Sequence, residues 1–453
     1  MSPERLFNKV LVANRGEIAL RVVEACRQLG IPSVAVFSEA DRGALHARLA
    51  DEAYCIGPAP ARDSYLNLAA IMSAAEISGA DAVHPGYGFL AEDAQFAEVC
   101  EDSDLTFIGP SQETMRLTGD KLATKQALEA HGLPTVPGTD AMTTEAEAQA
   151  AAEKLGYPLI IKAAAGGGGR GMRFVHDPSA LLDRFHAARR EAEAAFGNGS
   201  VYFEKHLGDA RHIEVQIVAD GHGHVVHWGE RECSIQRRYQ KLIEETPAPN
   251  LDPNLRERVC ETAVAAAHAL GYRNAGTVEC LVSGNDFHII EINARIQVEH
   301  PVSEMRAGRD LVMDQIRIAA GEKLPYEQAD LQLTGHAIEC RINAEDPLND
   351  FMPAAGDLRI VGWPGGPGVR IDTHIYDGLR VPPNYDSLLA KLISYSEDRD
   401  GARARMVGAL RRLQIESLPT TAELCLEILE HPVFVAGHAT TRFLEEQLTQ
   451  THA

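Results

Sequence analysis

The sequence predicts an α/β protein that becomes α+β in part, and two features carry this prediction. Over the first 110 residues, short apolar runs alternate with segments that repeat apolar residues at helical spacing. Alternation of strand, helix and strand implies a parallel sheet with helices on both faces. Beyond Gly335 the chain is instead rich in short strand patterns separated by turns. We therefore expect a covered parallel sheet first and a β-rich region last.

The N-terminal elements follow this alternation in order. Lys9–Asn14 is predicted as a buried strand, Glu17–Leu29 as an amphipathic helix and Ser33–Phe37 as the next strand. The further elements predicted in this region are the helix Leu66–Ile77, the strands Ala82–His84 and Thr106–Ile108, and the helix Met115–His131. Gly132–Gly138 ends this last helix, because its glycines and prolines break helical structure.

The rest of the chain mixes both element types. A strand pattern at Tyr157–Ala163 leads into a glycine tract, and strand patterns return from Tyr202 to Gln216. The remaining predicted elements are the helix Leu255–Leu270, the hairpin Thr277–Asn293, the helix Met305–Ala320, the turn Gly362–Gly368, and the helices Ala402–Leu413 and Thr421–Leu429.

Composition excludes several classes of protein. The net charge of −22 argues against non-specific binding to nucleic acid or to anionic membranes. No stretch approaches the ~20 apolar residues of a membrane-spanning helix. Met1–Val12 lacks the apolar core of a signal peptide, so no secretion signal is expected. The eight cysteines form no C-x-x-C pair and are expected to be reduced thiols of a cytoplasmic protein.

The glycine tract between Lys162 and Met172, KAAAGGGGRGM, indicates a phosphate-binding loop. Glycine lets backbone N–H groups approach a phosphate closely, and Lys162 and Arg170 add positive charge. A dinucleotide site would require a helix to follow, whereas Met172–Val175 is a strand pattern. The tract is therefore predicted to be a mobile flap over phosphates; the alternative is a flexible surface loop.

The segment Thr277–Glu299 predicts a metal site on a hairpin. If the hairpin is centred on Asn285, Glu279 lies directly opposite Glu291, with Cβ atoms ~5 Å apart. Two carboxylates that close repel unless a cation or proton lies between them, and their hard oxygens suit Mg²⁺. The alternative is a solvated edge strand.

Alternation with a period of two is expected to continue past this hairpin. It would place one polar set on a single face, namely Glu291, Asn293, Arg295, Gln297 and Glu299. Apolar residues take the other face. The polar face would then combine metal ligands, an anion-binding arginine and a candidate base.

Two further segments concentrate charge. Glu230–Lys241 holds four cations within a strongly acidic chain, which indicates a local anion site. Cys233 lies among them, and a packed cysteine is favoured over a catalytic thiolate. In the second segment, alternation places Arg341, Asn343 and Glu345 on one face of a strand; a structural salt-bridged strand explains that pattern equally well.

These motifs, in order and over nearly the whole chain, resemble biotin carboxylase. The segments that carry the resemblance are VANRGEIA (12–19), HPGYGFLAED (84–93), FIGP (107–110), GDK (119–121), KAAAGGGGRGM (162–172), RHIEVQ (211–216), ECSIQRRYQK (232–241), EINARIQVEHPV (291–302), ECRINAED (339–346) and YDSLLAKL (385–392). The resemblance implies an ATP-grasp fold of three domains. These are a Rossmann-like preATP-grasp domain at 1–118, an ATP-grasp domain at 119–332 with a mobile lid at about 136–207, and a β-rich C-terminal biotin carboxylase domain at 333–446.

The resemblance also implies roles for matching residues. Nucleotide binding is implied for Lys121, Lys162, Gly168, Gly169, Glu204, Leu207, His212 and Gln236. Glu279, Glu291 and Asn293 would hold Mg²⁺ or Mn²⁺. Bicarbonate would be bound by Arg295, Gln297 and the Val298 amide, with Lys241 nearby. Glu299 would be the base that deprotonates bicarbonate, and Arg341 would stabilise the biotin enolate.

This sequence departs from the family pattern at four positions. Tyr239 stands where the family usually has histidine, and its phenol cannot become cationic at pH 7. Ile292 and Ala294 replace the common Met and Thr, and Glu232 replaces an Asp. These departures bear on nucleotide affinity rather than on the chemistry.

The resemblance implies an enzyme that uses ATP and bicarbonate to carboxylate biotin through carboxyphosphate. No A-M-K-M biotinylation site is present, so biotin is expected on a separate carrier protein, with a carboxyltransferase and a homodimer as further expected partners. The expected setting is an acetyl-CoA carboxylase of fatty acid biosynthesis or a related acyl-CoA carboxylase, and the final carboxyl acceptor stays open because a separate transferase chooses it. The alternatives are a non-catalytic regulatory subunit, another ATP-grasp ligase that makes an acyl phosphate and, least favoured, a nicotinamide oxidoreductase.

Overall fold

The computed structural model describes residues 6–164 and 172–448, and begins with a five-stranded sheet. Its strands are β1 (Val10–Val12), β2 (Ser33–Phe37), β3 (Glu52–Cys55), β4 (Ala82–His84) and β5 (Thr106–Phe107). The helices that cover it are α1 (Gly16–Gln28), α2 (Leu45–Leu49), α3 (Leu68–Ser78) and α4 (Ala94–Asp102). Every pair is parallel, in the order β3-β2-β1-β4-β5. The predicted parallel α/β region is thus confirmed.

The single helix expected over Met115–His131 is wrong, because the chain forms two helices there. α5 (Gln112–Gly119) and α6 (Lys121–Ala130) are separated by Asp120 in an extended conformation. The Asp120 side chain accepts hydrogen bonds from the N–H groups of Leu122 and Ala123 and so caps α6. The break makes Lys121 the first residue of a helix.

A small antiparallel sheet follows, in the order β7-β6-β8. Its strands are β6 (Leu159–Ala163), β7 (Arg173–Val175) and β8 (Val201–Lys205), and the helices α7 (Glu145–Leu155) and α8 (Leu181–Phe196) pack on it. The strand predicted after the glycine tract is present as β7. The sheet and its helices share a separate apolar core around Phe185 and Phe203.

The remaining strands build one large antiparallel sheet and several two-stranded pieces. The strands are β9 (Arg211–Ala219), β10 (Val225–Arg237), β11 (Gln240–Thr246), β12 (Asn274–Ser283), β13 (Asp286–Asn293), β14 (His336–Asn343), β15 (Glu345–Asp346), β16 (Met352–Pro353), β17 (Gly356–Asp357), β18 (Ile360–Gly362), β19 (Val369–Thr373), β20 (Arg380–Val381), β21 (Leu388–Ser396) and β22 (Gln414–Ile415). The large sheet has the order β13-β12-β9-β10-β11-β14-β21-β19. It therefore continues across residues 332 and 333.

The helices of this part are α9 (Pro253–Ala269), α10 (His300–Ala307), α11 (Leu311–Ala319), α12 (Arg399–Leu410), α13 (Ala422–Glu430) and α14 (Pro432–Val435). The helix expected over Met305–Ala320 is wrong in its extent, since α10 and α11 replace it. Gly308 ends α10 with φ of 61°, a left-handed conformation that suits glycine. At its other end, helix α10 begins at His300, directly after Glu299.

The β12–β13 hairpin has the predicted cross-strand pair for a reason the sequence did not suggest. Ser283 lies opposite Asp286, so the turn is Gly284-Asn285 and its centre precedes Asn285. A β-bulge next to Glu279 then shifts the register by one residue and brings Glu279 opposite Glu291. The expected continuation of the strand is wrong, because β13 ends at Asn293.

Within the described residues, no helix is both long enough and apolar enough to cross a bilayer.

Candidate active site

Lys241 on β11 lies among three carboxylates that come from three different parts of the chain. Its ammonium contacts Glu279 at 2.9 Å, Glu299 at 2.7 Å and Glu214 more closely still. Burial alone would lower the pKa of Lys241, but these three carboxylates raise it well above its usual range. Lys241 is therefore a fixed cation at the centre of the site.

Arg341 on β14 joins the same cluster from the other side. Its guanidinium donates to Glu244 at 2.6 Å and to Glu299 at 2.7 Å. Burial raises the pKa of Glu244 to about 7, although Arg341 acts to lower it. For Glu299, burial acts to raise the pKa, but Lys241 and Arg341 outweigh it and the pKa is lowered. The candidate base is thus ionised and directly bonded to the candidate enolate stabiliser.

Arg231 stabilises the cluster through hydrogen bonds to buried side chains. Its position in the sequence did not indicate this role. Its fully buried guanidinium donates to Glu214 at 2.6 Å, to Gln216 at 2.7 Å and to Gln297 at 2.9 Å. The Glu214 and Gln216 side chains alternate with apolar residues along β9, and this alternation was the signal for them. The segment RHIEVQ therefore supplies Glu214 and Gln216, the buried polar side chains that hold Arg231 in the site.

The expectation that all four cations of Glu230–Lys241 form one anion site is wrong. Arg231 is buried in the floor of the cluster, while Arg237 and Arg238 both pair with Asp350 at the surface. Of the four, Lys241 is the cation that faces the candidate catalytic carboxylates. Two register irregularities in the β10–β11 pair lie between Glu232 and Gln236, so they separate Arg231 from the other three cations.

Cys233 is a packed thiol. Its side chain is fully buried, and burial, with Glu214 close by, raises its pKa well above the usual range. A thiolate nucleophile at this position is therefore disfavoured. All eight cysteines of the chain are free thiols, and Cys55 alone among them is exposed.

Glu279 and Glu291 present hard oxygen donors that fit Mg²⁺. Glu279 accepts from Asn293 at 3.0 Å and from Gln297 at 2.8 Å, and His212 Nε2 lies 3.2 Å from it. Glu291 pairs with Lys121 at 2.6 Å. Each opposed carboxylate thus has its own cation, which removes the repulsion expected between them. The oxygens of these two glutamates suit a divalent cation that also needs substrate phosphates.

His212 is charged in this arrangement. Burial acts to lower its pKa, but Glu279 and Glu214 outweigh burial and raise the pKa to about 9. Together with Lys241, Arg231 and Arg341 it balances the four carboxylates Glu214, Glu244, Glu279 and Glu299. The cluster is neutral when Glu244 is ionised and has one positive charge when Glu244, with its pKa of about 7, is protonated. In either state an incoming anion or metal ion must exchange partners with groups already paired.

Arg295 is held by Glu92, a residue whose role the sequence did not reveal. Glu92 accepts from Arg295 Nε at 2.9 Å and from the Ala294 N–H at 3.0 Å. Arg295 also donates to Asn293 Oδ1 at 2.9 Å. Glu92 lies in the segment HPGYGFLAED, so the resemblance marked this stretch without assigning a function to Glu92. The N-terminal region that contains the five-stranded sheet thereby contacts the site through Glu92.

The residues implied in nucleotide binding are distributed over two sheets. Lys162 on β6 pairs with Glu204 on β8 at 2.5 Å, and Lys121 occupies the start of α6. Leu207 follows β8, and Gln236 lies opposite Lys241 in the β10–β11 hairpin. Gly168 and Gly169 lie outside the described residues.

The substituted positions lie around the cluster and not within it. Tyr239 is at the tip of the β10–β11 hairpin with 62% of its surface exposed. Ile292 and Ala294 are buried, consistent with the expected apolar face. Glu232 accepts hydrogen bonds from Arg211 and Ser234. None of the four contacts Lys241, Glu299 or Arg341 through a hydrogen bond or ion pair in the described part of the chain.

Comparison with protein families gives three successive matches. Residues 6–115 match the biotin carboxylase N-terminal domain, residues 120–327 the carbamoyl-phosphate synthase L chain ATP-binding domain, and residues 339–446 the biotin carboxylase C-terminal domain. The ATP-binding match alone fits several carboxylating ligases. The two flanking matches are both to biotin carboxylase domains, and so they distinguish biotin carboxylase from the other ligases.

Individual proteins and structures agree with this. The chain is 53% identical over 445 residues to biotin carboxylase of Pseudomonas aeruginosa, covering 98% of this chain and 99% of that protein. It is 50% identical over 443 residues to a pyruvate carboxylase subunit from Methanothermobacter thermautotrophicus, covering 97% and 90%. A biotin carboxylase–ATP analogue complex from Campylobacter jejuni superposes with a TM-score of 0.95 at 47% identity, covering 97% and 99%. The biotin carboxylase domain dimer of Hydrogenobacter thermophilus 2-oxoglutarate carboxylase, with MgADP and bicarbonate, gives 0.94 at 46% identity, covering 98% of each chain. The chain therefore belongs to the biotin carboxylase family.

Proposed function

We propose that this enzyme carboxylates biotin on a separate carrier protein, using ATP and bicarbonate and releasing ADP and phosphate. The observation that carries the proposal is the contact of Glu299 with both Lys241 and Arg341. One carboxylate thus links the cation at the proposed bicarbonate site with the arginine that faces the proposed biotin site. The site therefore has groups for both steps of the reaction within one cluster.

In the first step, Glu299 accepts the proton of bicarbonate. Lys241, Arg295, Gln297 and the Val298 amide hold the anion in line with the γ-phosphate of ATP, so that carboxyphosphate forms. The ionised state of Glu299 makes it able to accept a proton, while its salt bridges weaken it as a base. Drawing Lys241 towards the bound anion would strengthen it.

Binding of ATP falls to the residues around the small sheet. Lys121 and Lys162 exchange their present partners, Glu291 and Glu204, for phosphate oxygens. Glycines 168 and 169, Glu204, Leu207, His212 and Gln236 complete the nucleotide site. Mg²⁺ or Mn²⁺ held by Glu279, Glu291 and Asn293 would neutralise charge on the triphosphate.

In the second step, Arg341 stabilises the negative charge that develops when biotin loses its N–H proton. Phosphate released with CO₂ can take that proton. Closure of the segment at about 136–207 over the site would exclude water, which would otherwise consume carboxyphosphate. The division into domains at 1–118, 119–332 and 333–446 belongs to this proposal.

The decisive test is ATP cleavage measured as ADP release. We expect a rate that depends on bicarbonate and Mg²⁺ and rises with free biotin. Equal rates with and without bicarbonate would contradict the assignment. ATP cleavage whose rate does not change with biotin, and which produces another acyl phosphate, would favour a different ATP-grasp ligase. Tight ATP binding without turnover would favour a regulatory subunit.

The setting of the enzyme is also a proposal. We infer three partners: a biotin carboxyl carrier protein, a second copy of this chain in a homodimer, and a carboxyltransferase subunit. The free thiols support a cytoplasmic location. Acetyl-CoA, in fatty acid biosynthesis, is one candidate final acceptor beside other acyl-CoAs and less common acceptors, because a separate transferase chooses it. Relatives named for pyruvate and 2-oxoglutarate carboxylation are similar to the same extent as several biotin carboxylases. Isolating the biotinylated partner and its transferase would decide the acceptor.

A further inference from the structure

Two buried side chains hold the backbone on either side of Val298, and the reaction scheme above uses neither of them. His300 Nδ1 lies 2.7 Å from the Gln297 carbonyl oxygen. The Lys391 ammonium donates to the Val298 carbonyl oxygen at 3.0 Å. Both side chains are completely buried. A carbonyl oxygen can only accept a hydrogen bond, so the bond requires the proton of His300 to be on Nδ1.

The ring of His300 at 2.7 Å and its backbone N–H at 3.3 Å both bond to the Gln297 carbonyl oxygen, and the shorter bond from the ring does most to fix the direction of the Val298 N–H. A trans peptide is planar, and its C=O and N–H point in opposite directions. The Gln297 carbonyl and the Val298 N–H belong to the same peptide group, so the N–H points away from His300. In the described part of the chain, this N–H has no hydrogen-bond acceptor. It is therefore a donor held ready for a ligand.

Lys391 fixes the next peptide group, which leads directly into Glu299. Its ammonium is anchored by Glu17 at 3.1 Å and by Asp372 at 3.8 Å, so that α1, β19 and β21 meet at this point. Tyr87 also donates a hydrogen bond to Glu17. A buried ammonium is costly unless it is paired and hydrogen-bonded. Two positions away along β21, Leu389 and Ile393 are buried apolar residues, so packing alone gives no reason for a lysine here.

The environment of His300 keeps its ring neutral. Burial lowers its pKa well below the usual range, and the cations Lys391, Arg21 and Arg370 lower it further. The Nε2 atom has no hydrogen-bond partner in the described part of the chain. A Glu304 carboxylate oxygen lies 3.9 Å from Nε2, beyond hydrogen-bond distance. The hydrogen bond of the ring is therefore the one with Gln297, which an apolar residue of similar size could not make.

We propose that His300 and Lys391 are positioning residues that aim the Val298 amide and the Glu299 carboxylate at bicarbonate. This inference rests on the proposed function, in which Val298 and Glu299 bind and deprotonate that anion. Neither residue touches substrate. His300 holds the Gln297–Val298 peptide group, and Lys391 holds the Val298–Glu299 peptide group. Together they connect the geometry of the bicarbonate site to three separate regions of the fold.

The first test compares two substitutions of His300. His300→Leu removes the donor at similar volume, whereas His300→Asn retains one, because the asparagine amide nitrogen can occupy the place of Nδ1. We expect His300→Leu to raise the KM for bicarbonate on the order of tenfold or more, because small misplacements of a reacting group cost up to ~10²-fold. The KM for ATP should stay within about twofold, and His300→Asn should recover most of the loss.

The second test separates the role of Lys391 in the turn from its role in the ion pair. Glu17→Gln breaks the pair but keeps the bond from Lys391 to Val298. The double variant Glu17→Gln/Lys391→Met removes that bond as well, without leaving Glu17 as an unpaired buried charge. At comparable Tm, the double variant should show the raised KM for bicarbonate and Glu17→Gln should not. This pair decides the question if His300→Leu does not fold.

Two results would overturn the inference. One is an unchanged KM for bicarbonate in both His300→Leu and the double variant. The other is a parallel rise in the KM for both substrates, which would indicate a general structural role. Absence of bicarbonate-dependent ATP cleavage in the unsubstituted enzyme is a different result, because it would overturn the proposed function and the inference with it.

Discussion

Glu299 and Arg341 are joined by a hydrogen bond of 2.7 Å, so the residues proposed for the two half-reactions are in direct contact. Arg341 also donates to Glu244, whose pKa is raised to about 7. Glu299 is held in addition by Lys241. A substitution at Arg341 therefore changes the proton affinity of the proposed base as well as the proposed biotin site.

Glu299→Gln should abolish ATP cleavage and biotin carboxylation together. The amide cannot accept the bicarbonate proton, and a positioned general base contributes ~10²–10⁴-fold. ATP binding should persist, because Glu299 is not assigned to the nucleotide. The measurement is ADP release paired with fixation of labelled carbon on biotin. Retention of either rate near that of the unsubstituted enzyme would remove Glu299 from the role of base.

Arg341→Ala should lose carboxybiotin formation while keeping a slow bicarbonate-dependent ATP cleavage. Removing this cation destabilises the ionised form of Glu299, so the pKa of Glu299 rises. The acidic limb of the pH profile for ATP cleavage should accordingly move to higher pH. Arg411→Ala, at an exposed pair with Glu430, is the matched control and should change neither rate. A proportional loss of both rates in Arg341→Ala would mean that Arg341 serves the first step or the fold.

Glu279→Gln and Glu291→Gln should each raise the Mg²⁺ concentration needed for half-maximal ATP cleavage. They should differ in stability, because Glu279 is buried with Lys241 and His212 whereas Glu291 is 34% exposed. Breaking a buried pair costs about 3–5 kcal/mol, so only Glu279→Gln should lower Tm clearly. Glu416→Gln, at the surface, controls for loss of charge. Full activity of both variants at limiting Mg²⁺ would show that this hairpin does not hold the metal.

Because of His212, the stability of the metal-free protein should decrease as the pH becomes alkaline. Its pKa is raised from 6.5 to about 9 in the folded protein, so the charged form stabilises the fold. That contribution is fully present below pH ~6.5, falls as the pH rises through about 9, and is on the order of 3 kcal/mol at most. Tm should therefore differ between the parent and His212→Gln at pH 6.5, and the difference should shrink by pH 10. A difference that is constant with pH would exclude a charged His212.

Cys233→Ala should retain most of the activity, because the thiol is a packed side chain with a raised pKa. Thiol reagents should modify the exposed Cys55 well before Cys233 in the native protein. Mass spectrometry of the labelled peptides measures the order. Rapid labelling of Cys233 coupled to loss of activity, with Cys233→Ala inactive, would instead indicate a reactive thiolate.

The glutamate pair of the hairpin shows what the local sequence could predict. Alternation along Thr277–Asn293 and the turn residues placed Glu279 opposite Glu291, and the structure has that pair. The predicted turn centre lay half a residue too far along the chain, which shifts the pairing register by one, and the bulge compensated for it. The extra residue of the bulge is Ile290 on β13, and the alternation of the hairpin sequence does not show where such a residue is inserted.

Helix boundaries were predicted less well, for a similar reason. Met115–His131 and Met305–Ala320 both have helical periodicity, but Asp120 and Gly308 interrupt them. Asp120 sets the start of the helix that carries Lys121, and Gly308 sets the end of the helix that carries His300. The periodicity of apolar residues persists through such breaks, so it indicates the buried face without showing where the backbone turns.

The sequence by itself determined the fold class, the family and the residue types of the site, because strand and helix periods and compact motifs are local properties of the chain. Tertiary structure alone decided which of these groups pair. Glu92 reaches Arg295 across 203 positions, and Lys391 reaches Val298 across 93. Lys241 on β11 meets carboxylates from β9, from β12 and from the residue before α10, because the sheet order is β12-β9-β10-β11. Those contacts, and the proton affinities that follow from them, depend on strand order and burial, which bring together residues that are remote along the chain.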